Sequence, residues 1–597
     1  MELMRWDYYT EQAQCFNMIS GNLSENTFKS KTVVYLTLLL PALLLYFKSL
    51  FFQFTSLDEQ WMIVSNAPFL NSSESLKQAF TTPLAGLYYR PFLLLTIIFD
   101  FKIGGLDPFL FHLSNLLLHL FSVFLLFRFL LAFGTERIAA LLLSVLFSVH
   151  PIHLHAVAWV PGRNDTLLFI FSIGSLLFLK RYLDQRKPFQ IILHFLTFLF
   201  ALSTKETAMM LPVLFLCVYF LYNKGSKFSA LFSLSWLSMS IAWYILRWKI
   251  VDHAIPSGES FFQSLILTIQ GLTLYLGKIC LTTQLSVFPT IKNTSLWPGV
   301  LSVLVLSIFT LFPGVKNKKE AVTGLFLFLV MMSLPVWFNA VHTAKEQYEH
   351  RAYLPMAGIV LFLSHLKFNY RSNRSLVLIS ILFLLLSSKT FSRMEVYRNK
   401  NAFLQTAVKE SPDHYFFQMQ MAEMLSTQGN YSLAIDYYTR SISIRSNKYE
   451  VYNNRGIAFY NLGKFQEAIR DFNTVIDKSV FNPAYYLNRC NTYASMEKNN
   501  EALNDLLVLL DCCANDVPQD LTKNVIDKWL LKEGSKLDSV QNRIPGNVAL
   551  YFKRGQILIG IGNTKKGLED LKSAAELAPD STRFLKYFLK KQTEFGN

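Results

Sequence analysis

The chain has 597 residues, 52% of them hydrophobic and 53 of them Phe, too apolar and too long for one soluble core, so at least two domains are expected. Its formal net charge of +16 invites a nucleic-acid reading, but in a membrane protein Lys and Arg gather in cytoplasmic loops and beside anionic headgroups, and no nucleic-acid partner is expected. The six cysteines (15, 217, 280, 490, 512 and 513) show no C-x-x-C or other zinc spacing, and neighbours such as Cys512 and Cys513 rarely pair, so free thiols are expected.

Residues 1–32 lack the short apolar core and small-residue cleavage site of a signal peptide and read as an N-terminal cytoplasmic segment. Residues 33–53, preceded by Lys29 and Lys31, read as an uncleaved signal anchor. From 33 to 390 apolar runs of about 15 to 24 residues recur, the length that crosses roughly 30 Å of hydrocarbon as helix. They fall near 33–53, 91–104, 109–132, 137–155, 164–182, 189–204, 207–222, 228–247, 261–281, 298–313, 321–338, 352–368 and 374–390. Lys180-Arg181 with Arg186-Lys187, Lys224 with Lys227, Lys316 with Lys318-Lys319, and Lys367 with Arg371 and Arg374 mark cytoplasmic loops. These agree only if the short segment 91–104 lies at the interface or re-enters. Between 228 and 313 three candidate segments join two cytoplasmic loops, so one of them should fail to cross.

Under this topology the outward-facing connections are 54–90, His150 to Arg163, Ser203 to Thr207, the loop near Pro289 to Pro298, and Asn339 to Arg351. Polar groups concentrate there: Asp58, Glu59 and Arg90; His150, His153, His155 and Asp165; Lys205 and Glu206; Glu346, Glu349, His350 and Arg351. A charge at the membrane edge costs roughly 2.5 to 3.5 kcal/mol on insertion scales, so several on one side point to a functional cavity.

From about 391 the chain turns polar, and after a linker at 391–412 a 34-residue period appears. Ala422, Gly456 and Cys490 are 34 apart, followed twelve residues later by Ala434, Ala468 and Ala502. This is the spacing of the small residues where the two helices of a tetratricopeptide (TPR) hairpin touch. Repeats are expected near 413–446, 448–480, 482–515 and 547–580, with 514–546 a degenerate repeat or an insert. The expected fold is therefore all-α: a polytopic helical membrane domain of about 11–13 apolar segments over 33–390, followed by a TPR α-solenoid over 413–597. The concave face of such a solenoid is expected to bind an extended peptide or a partner helix. The helix at 374–390 leaves a cytoplasmic loop, which puts the solenoid on the outer side with Asp58, although Arg393, Arg398 and Lys400 argue mildly against this.

Several motifs occur in order: His150-Pro-Ile-His153, then A-V-A-W-V-x-G-R-x-D from Ala156 to Asp165, S-x-K-E-T from Ser203 to Thr207, and E-x-R-x-Y-L-P from Glu349 to Pro355. Together with Asp58-Glu59 and the C-terminal repeats they resemble the transmembrane and TPR-containing O-mannosyltransferases and their bacterial relatives, GT-C type glycosyltransferases that use polyprenyl-phosphate sugars. The resemblance covers nearly the whole chain. It departs at His155, where many members carry an acidic residue, and at Asp58-Glu59, where close relatives often show two aspartates.

The resemblance implies transfer of a sugar such as mannose from a polyprenyl or dolichyl phosphate to a protein hydroxyl, with inversion, with Asp58 as base and Glu59 as second choice. A transferase must deprotonate the acceptor and stabilise the departing phosphate. Arg351, Lys205 and Arg163 are candidates for the phosphate, and Arg90 caps the first loop or touches the donor. Each has an ion-pair alternative: Lys205 near Glu206, Arg351 with Glu349, Arg163 with Asp165. His150, His153 and His155 would suit zinc, but Pro151 interrupts them and no carboxylate stands at H-E-x-x-H spacing, so no metal and no cofactor beyond the lipid-linked donor is expected. No phosphate-binding G-x-x-x-x-G-K-[ST] loop occurs. Asn71 and Asn430 stand in glycosylation triplets. The membrane is the bacterial inner membrane with a periplasmic solenoid or that of the endoplasmic reticulum with a lumenal one. Two rival readings stand beside this: a non-enzymatic membrane-anchored TPR scaffold, and a lipid-linked oligosaccharide ligase or polymerase.

Overall fold

The computed structural model describes residues 31–223 except 56, 85 and 87, then 230–251, 260–290, 293–311, 314–341, 346–513, 548–560, 563–579 and 581–595. The chain divides into two units, Met1–Ser411 and Pro412–Asn597. Among the described residues there are helices, turns and a few isolated backbone bridges, with no strand. Residues 1–30 of the expected N-terminal segment, the basic pair at 224 and 227 and the irregular stretch 514–546 lie outside the described residues.

In the first unit a helix occupies every one of the apolar segments read from the sequence. In chain order, leaving aside the short helices of the 54–90 loop and the 3₁₀ turns, the helices of this unit are α1 (Lys31–Tyr46), α2 (Pro91–Gly104), α3 (Pro108–Ala132), α4 (Arg137–Ser148), α5 (Leu154–Val157), α6 (Arg163–Gln185), α7 (Pro188–Leu202), α8 (Leu211–Tyr222), α9 (Ala230–Ile250), α10 (Phe261–Leu281), α11 (Trp297–Leu311), α12 (Lys318–Val341), α13 (Tyr353–Ser364), α14 (Asn373–Met394) and α15 (Lys400–Glu410). Pro begins α2, α3 and α7, where its missing N–H is unneeded. The Asp107 carboxylate caps α3 by accepting from Phe109 N at 3.0 Å.

Seven helices are long and apolar enough to cross a membrane, and an eighth span results if α4 and the segment Pro151–Val157, bent by 51°, count as one. The chain is a multi-pass membrane protein. α2, with 14 residues, covers only about 21 Å and falls short of a bilayer core, in keeping with its reading as non-crossing. Of the three segments between 228 and 313, α9 and α10 have spanning length and α11 is shorter. α9 and α14 bury only 17% of their apolar windows, leaving rows of Leu and Ile for lipid.

Helix contacts inside the unit use small residues. A Cβ on Gly324 of α12 would lie 2.5 Å from the carbonyl oxygen of Gly358 in α13, and one on Gly358 would lie 2.3 Å from that of Gly324. Two bare backbones therefore touch, as in membrane helix pairs that lack a hydrophobic drive to associate.

The stretch expected as a linker at 391–412 is helical over most of its length. α14 runs to Met394, and α15 is fixed within the first unit: Arg393 Nη1 pairs with Glu410 Oε1 at 3.0 Å, and Val287 N donates to Glu410 Oε2 at 2.8 Å.

The second unit begins with three helical hairpins: α16 (Tyr415–Thr427) with α17 (Tyr431–Ile444), α18 (Tyr449–Asn461) with α19 (Phe465–Lys478), and α20 (Pro483–Ser495) with α21 (Asn499–Cys513). A fourth, α22 (Val548–Gly560) with α23 (Thr564–Leu577), is followed by α24 (Thr582–Phe595). Ala422, Ala434, Gly456, Ala468, Cys490 and Ala502 are buried where the periodicity placed them. Arg455 pairs with Asp471, and Arg489 with Asp505, both at 2.7 Å, repeating one clasp in successive repeats. The hairpin turns need a left-handed residue: Gly429 (φ 78°) and Gly463 (φ 73°) supply it, and Glu497 (φ 57°) takes the equivalent place in the third repeat. Cys217, Cys280 and Cys490 are free thiols.

Candidate active site

Four chain segments deliver charged groups to one region of the membrane unit. α6 carries Asp165 in its first turn. The turn after α7 extends at Lys205 (φ −158°, ψ 140°) before a 3₁₀ turn starting at Glu206. Arg90 is held out of helical conformation (φ −134°, ψ 62°) as the residue before Pro91. Arg351 lies in the 3₁₀ turn Glu349–Ala352 that leads into α13.

These groups pair in a defined way. Lys205 Nζ donates to both oxygens of Asp165 at 2.7 Å, with side chains 9% and 4% exposed. Arg90 forks onto Glu206 through Nη2 at 2.7 Å and Nε at 3.0 Å, and its guanidinium lies 4.2 Å from the centre of the Tyr88 ring. Arg351 lies 5.1 Å from the Tyr348 ring centre and reaches the Glu346 carbonyl oxygen at 3.4 Å. Among the described residues it has no carboxylate partner. Asp165, Lys205, Thr207 and Arg351 form the polar side of a small pocket whose apolar side includes Met331 and Leu354.

Asp58 is half-buried, accepts from Trp61 Nε1 at 3.2 Å, and lies within electrostatic reach of Arg90 and Tyr348. Burial raises its carboxyl above the usual range, with Trp61 and Arg90 opposing. Glu59 is 1% exposed; its Oε2 accepts from Thr55 Oγ1 at 2.6 Å while Oε1 has no partner, and burial pushes its carboxyl up to about 7. Burial pulls Lys205 down to about 8, Arg90 and Arg351 adding to the fall and Asp165 resisting it. Burial would raise Glu206, but Arg90 outweighs it and holds the carboxyl below its usual value. Burial, aided by His155, Lys205 and Arg351, holds His350 well below the usual imidazole range, so the ring is neutral 3.9 Å from Asp165.

Other residues singled out in the sequence are placed elsewhere. Arg163 is 0% exposed and pairs with Asp100, not Asp165, at 2.6 Å. Glu349 pairs with Lys278, not Arg351, at 2.8 Å, and its Oε1 also accepts from Ser286 N at 2.7 Å. Lys205 faces Asp165 instead of the Glu206 side. His150 Nδ1 caps the following turn by accepting from Ile152 N, and its Nε2 meets the Ile279 carbonyl at 3.0 Å. His153 is fully buried with both ring nitrogens unpartnered. His155 lies tilted against Trp159, with ring centres 4.7 Å apart, and meets His350 at 3.4 Å. Among the described residues no group of three or more His, Cys, Asp or Glu could hold a metal. Asp100, Asn115, Lys278 and Tyr348 were missed; a carboxylate inside the apolar run of α2 was a signal for the first.

In the second unit the first helices of three hairpins share a row of polar side chains. Asn488 Nδ2 donates to Asn453 Oδ1 (2.9 Å), Asn453 Nδ2 to Asn454 Oδ1 (3.2 Å), Asn454 Nδ2 to Glu423 Oε1 (3.0 Å), and Gln420 Nε2 to Glu423 Oε2 (2.7 Å).

The fold and this site define a class: a multi-pass helical membrane protein with a charged pocket and a separate TPR unit. The tetratricopeptide repeat family model matches residues 417–448, 449–477 and 548–581. The chain is 23% identical over 496 residues to human protein O-mannosyl-transferase TMTC3, covering 71% of this chain and 52% of that protein. It is 24% identical over 477 residues to human TMTC1, covering 67% and 54%. To the Caenorhabditis elegans protein O-mannosyl-transferase F38B6.6 it is 23% identical over 406 residues, covering 62% and 57%. The resemblance read from the motifs is thus borne out, and the chain spans about half the length of the curated relatives it matches. Among solved structures, the TPR protein YrrB matches 31% of this chain and 96% of its own at 18% identity, with a TM-score of 0.21.

Proposed function

We propose that this chain is a membrane glycosyltransferase that moves one sugar, with mannose the first choice, from a polyprenyl phosphate to a protein hydroxyl. The observation that carries the reading is the pocket in which Arg351, with no carboxylate within ion-pair distance among the described residues, stands beside the Lys205–Asp165 pair. A phosphate placed there would take the direct ion-pair position at Arg351, which Asp165 and Glu346 reach only at longer range.

The chemistry is a single displacement. Asp58 accepts the proton of the acceptor hydroxyl as that oxygen attacks the anomeric carbon on the face opposite the phosphate. The carbon–oxygen bond to the phosphate breaks, its electron pair leaves on the phosphate oxygen, and the sugar inverts. Arg351 and Lys205 meet the charge developing on that oxygen, with Arg90 nearby, a role worth about 10²- to 10³-fold in rate per group. Asp58, half-buried with its carboxyl raised, is the better base. Glu59, sealed and near half-protonated at neutral pH, supports the loop. The amide row of the TPR unit offers paired donors and acceptors, suited to the main chain of an acceptor or partner.

The test is incorporation of labelled mannose from a polyprenyl-phosphate donor into protein, in membranes carrying the parent chain or Asp58→Asn. Signal lost in the folded, inserted variant supports the reading. Equal signal in both removes Asp58 as base. No signal above empty membranes favours the anchored scaffold, whose partner capture survives Asp58→Asn and is lost with Asn453→Leu and Asn488→Leu.

A further inference from the structure

We infer that Arg163 and Asp100 are positioning residues that fix the spacing between Arg90 and Asp165, and are not themselves donor ligands; this rests on the proposed transfer. Arg163 distributes its guanidinium over two helices. Nη2 lies 2.6 Å from Asp100 Oδ2 and donates to Phe111 O at 2.8 Å, Nη1 donates to Thr96 O at 3.2 Å, and Nε donates to Asn115 Oδ1 at 2.8 Å. Asp100 also accepts from Ser114 Oγ at 2.7 Å. Asn115 Nδ2 reaches the carbonyls of Val157, Trp159 and Val160 at 3.1 to 3.3 Å. One side chain of α6 therefore joins α2, α3 and the segment entering α6.

The placement of this hub is what links it to the site. Arg90 immediately precedes α2, which the hub grips at Thr96 and Asp100. The start of α2 is also tied to the Lys205 turn, because Phe92 N donates to Ser203 O at 3.1 Å. Asp165 follows Arg163 by two residues on α6. Loosening the hub thus moves Arg90 and the Lys205 turn relative to Asp165, while a guanidinium that is 0% exposed offers no face to a phosphate.

Electrostatics argues the same way. A cation in the first turn of a helix meets the positive end of the helix dipole, and burying a guanidinium and a carboxylate together is often no better for stability than a neutral pair. Thr96 and Phe111 already have helical partners for their carbonyls. Geometry, not net stabilisation, is what this pair supplies.

The test uses the full chain in proteoliposomes with polyprenyl-phosphate mannose, comparing Asp100→Asn, Arg163→Gln and the double variant. Kinetics and amide hydrogen exchange over residues 86–94 and 203–208 are read together. Positioning predicts that each folded single variant loses about 10²-fold in kcat/KM, mainly through donor KM, and exchanges faster in both segments, and that the double variant is no worse than either. Loss confined to variants of Arg163, with Asp100→Asn unaffected, would make Arg163 a ligand and overturn the inference. Lower stability with donor KM and exchange unchanged in the folded fraction would overturn it as well. Should the single variants not fold, the double variant decides by the same two readings. Should the parent transfer no sugar, the proposed function fails, and unchanged exchange in the variants separately refutes the positioning claim.

Discussion

Replacing Lys205 with Met removes the ammonium that both oxygens of Asp165 hold at 2.7 Å. Both side chains are less than a tenth exposed, so the relevant magnitude is that of a broken buried pair, about 3 to 5 kcal/mol, not the 0 to 1 kcal/mol of a surface pair. Arg90 and Arg351 remain within electrostatic reach of Asp165, which places the expected loss at the lower end, about 3 kcal/mol. The Lys205→Met, Asp165→Asn double variant removes both members of the buried pair and should unfold closer to the parent temperature than Lys205→Met does, the remaining deficit reflecting the support that Asp165 gives Arg90 and Arg351. Its transfer rate should nevertheless remain about 10²- to 10³-fold down, because the phosphate still lacks an ammonium. Thermal unfolding in detergent, followed by Trp fluorescence, and labelled-mannose transfer supply the two readings. A double variant that regains both stability and transfer would mean that Lys205 serves only Asp165, and the assignment of Lys205 to the donor would be withdrawn.

The pH profile of transfer should be bell-shaped. Lys205, with its value pulled down to about 8, loses its charge as pH rises through that point, so activity falls on the alkaline side; Lys205→Arg should carry that limb beyond pH 10. On the acid side Asp58 must be ionised, and its raised value puts the fall above the pH where a solvated aspartate would place it. Asp58→Asn should cost about 10²- to 10⁴-fold in kcat, the range of general-base catalysis, whereas Glu59→Gln, already close to the protonated form, should cost less than tenfold; equal losses would contradict the division of roles. Glu497→Gly should stabilise the TPR unit by about 0.5 to 1 kcal/mol, since it relieves a left-handed side chain at some cost in unfolded-chain entropy; an unchanged or lower melting temperature would count against strain at this turn.

The periodic parts of the chain were readable because their signals are local. Apolar runs located the membrane helices, and the 34-residue spacing of Ala422, Gly456 and Cys490 located the hairpins. The helical nature of 391–410 was hidden because Lys400–Glu410 is polar along much of its length and is secured by partners far away in sequence, Val287 among them. The site was legible as a set of residues but not as a set of pairs. Lys205 and Asp165 are 40 residues apart, Lys278 and Glu349 are 71 apart, and sequence proximity pointed in each case to the wrong partner. Arg163 shows the limit most clearly. Its motif position suggested a role at the phosphate, and only the helix packing reveals that Asp100, on a segment too short to span, occupies its guanidinium.

The backbone contact between Gly324 and Gly358 acts as a gauge for the pocket. α12 carries Met331 and Pro335, and α13 begins with Leu354 and Pro355, so two walls of the cavity belong to the helices that meet at these glycines. Their separation is set by the touching main chains one to three turns away, outside the lining itself. Side chains that face the pocket can therefore be exchanged to suit a different occupant without shifting its walls, whereas one methyl group at either glycine would change the width of the opening while leaving every lining residue in place.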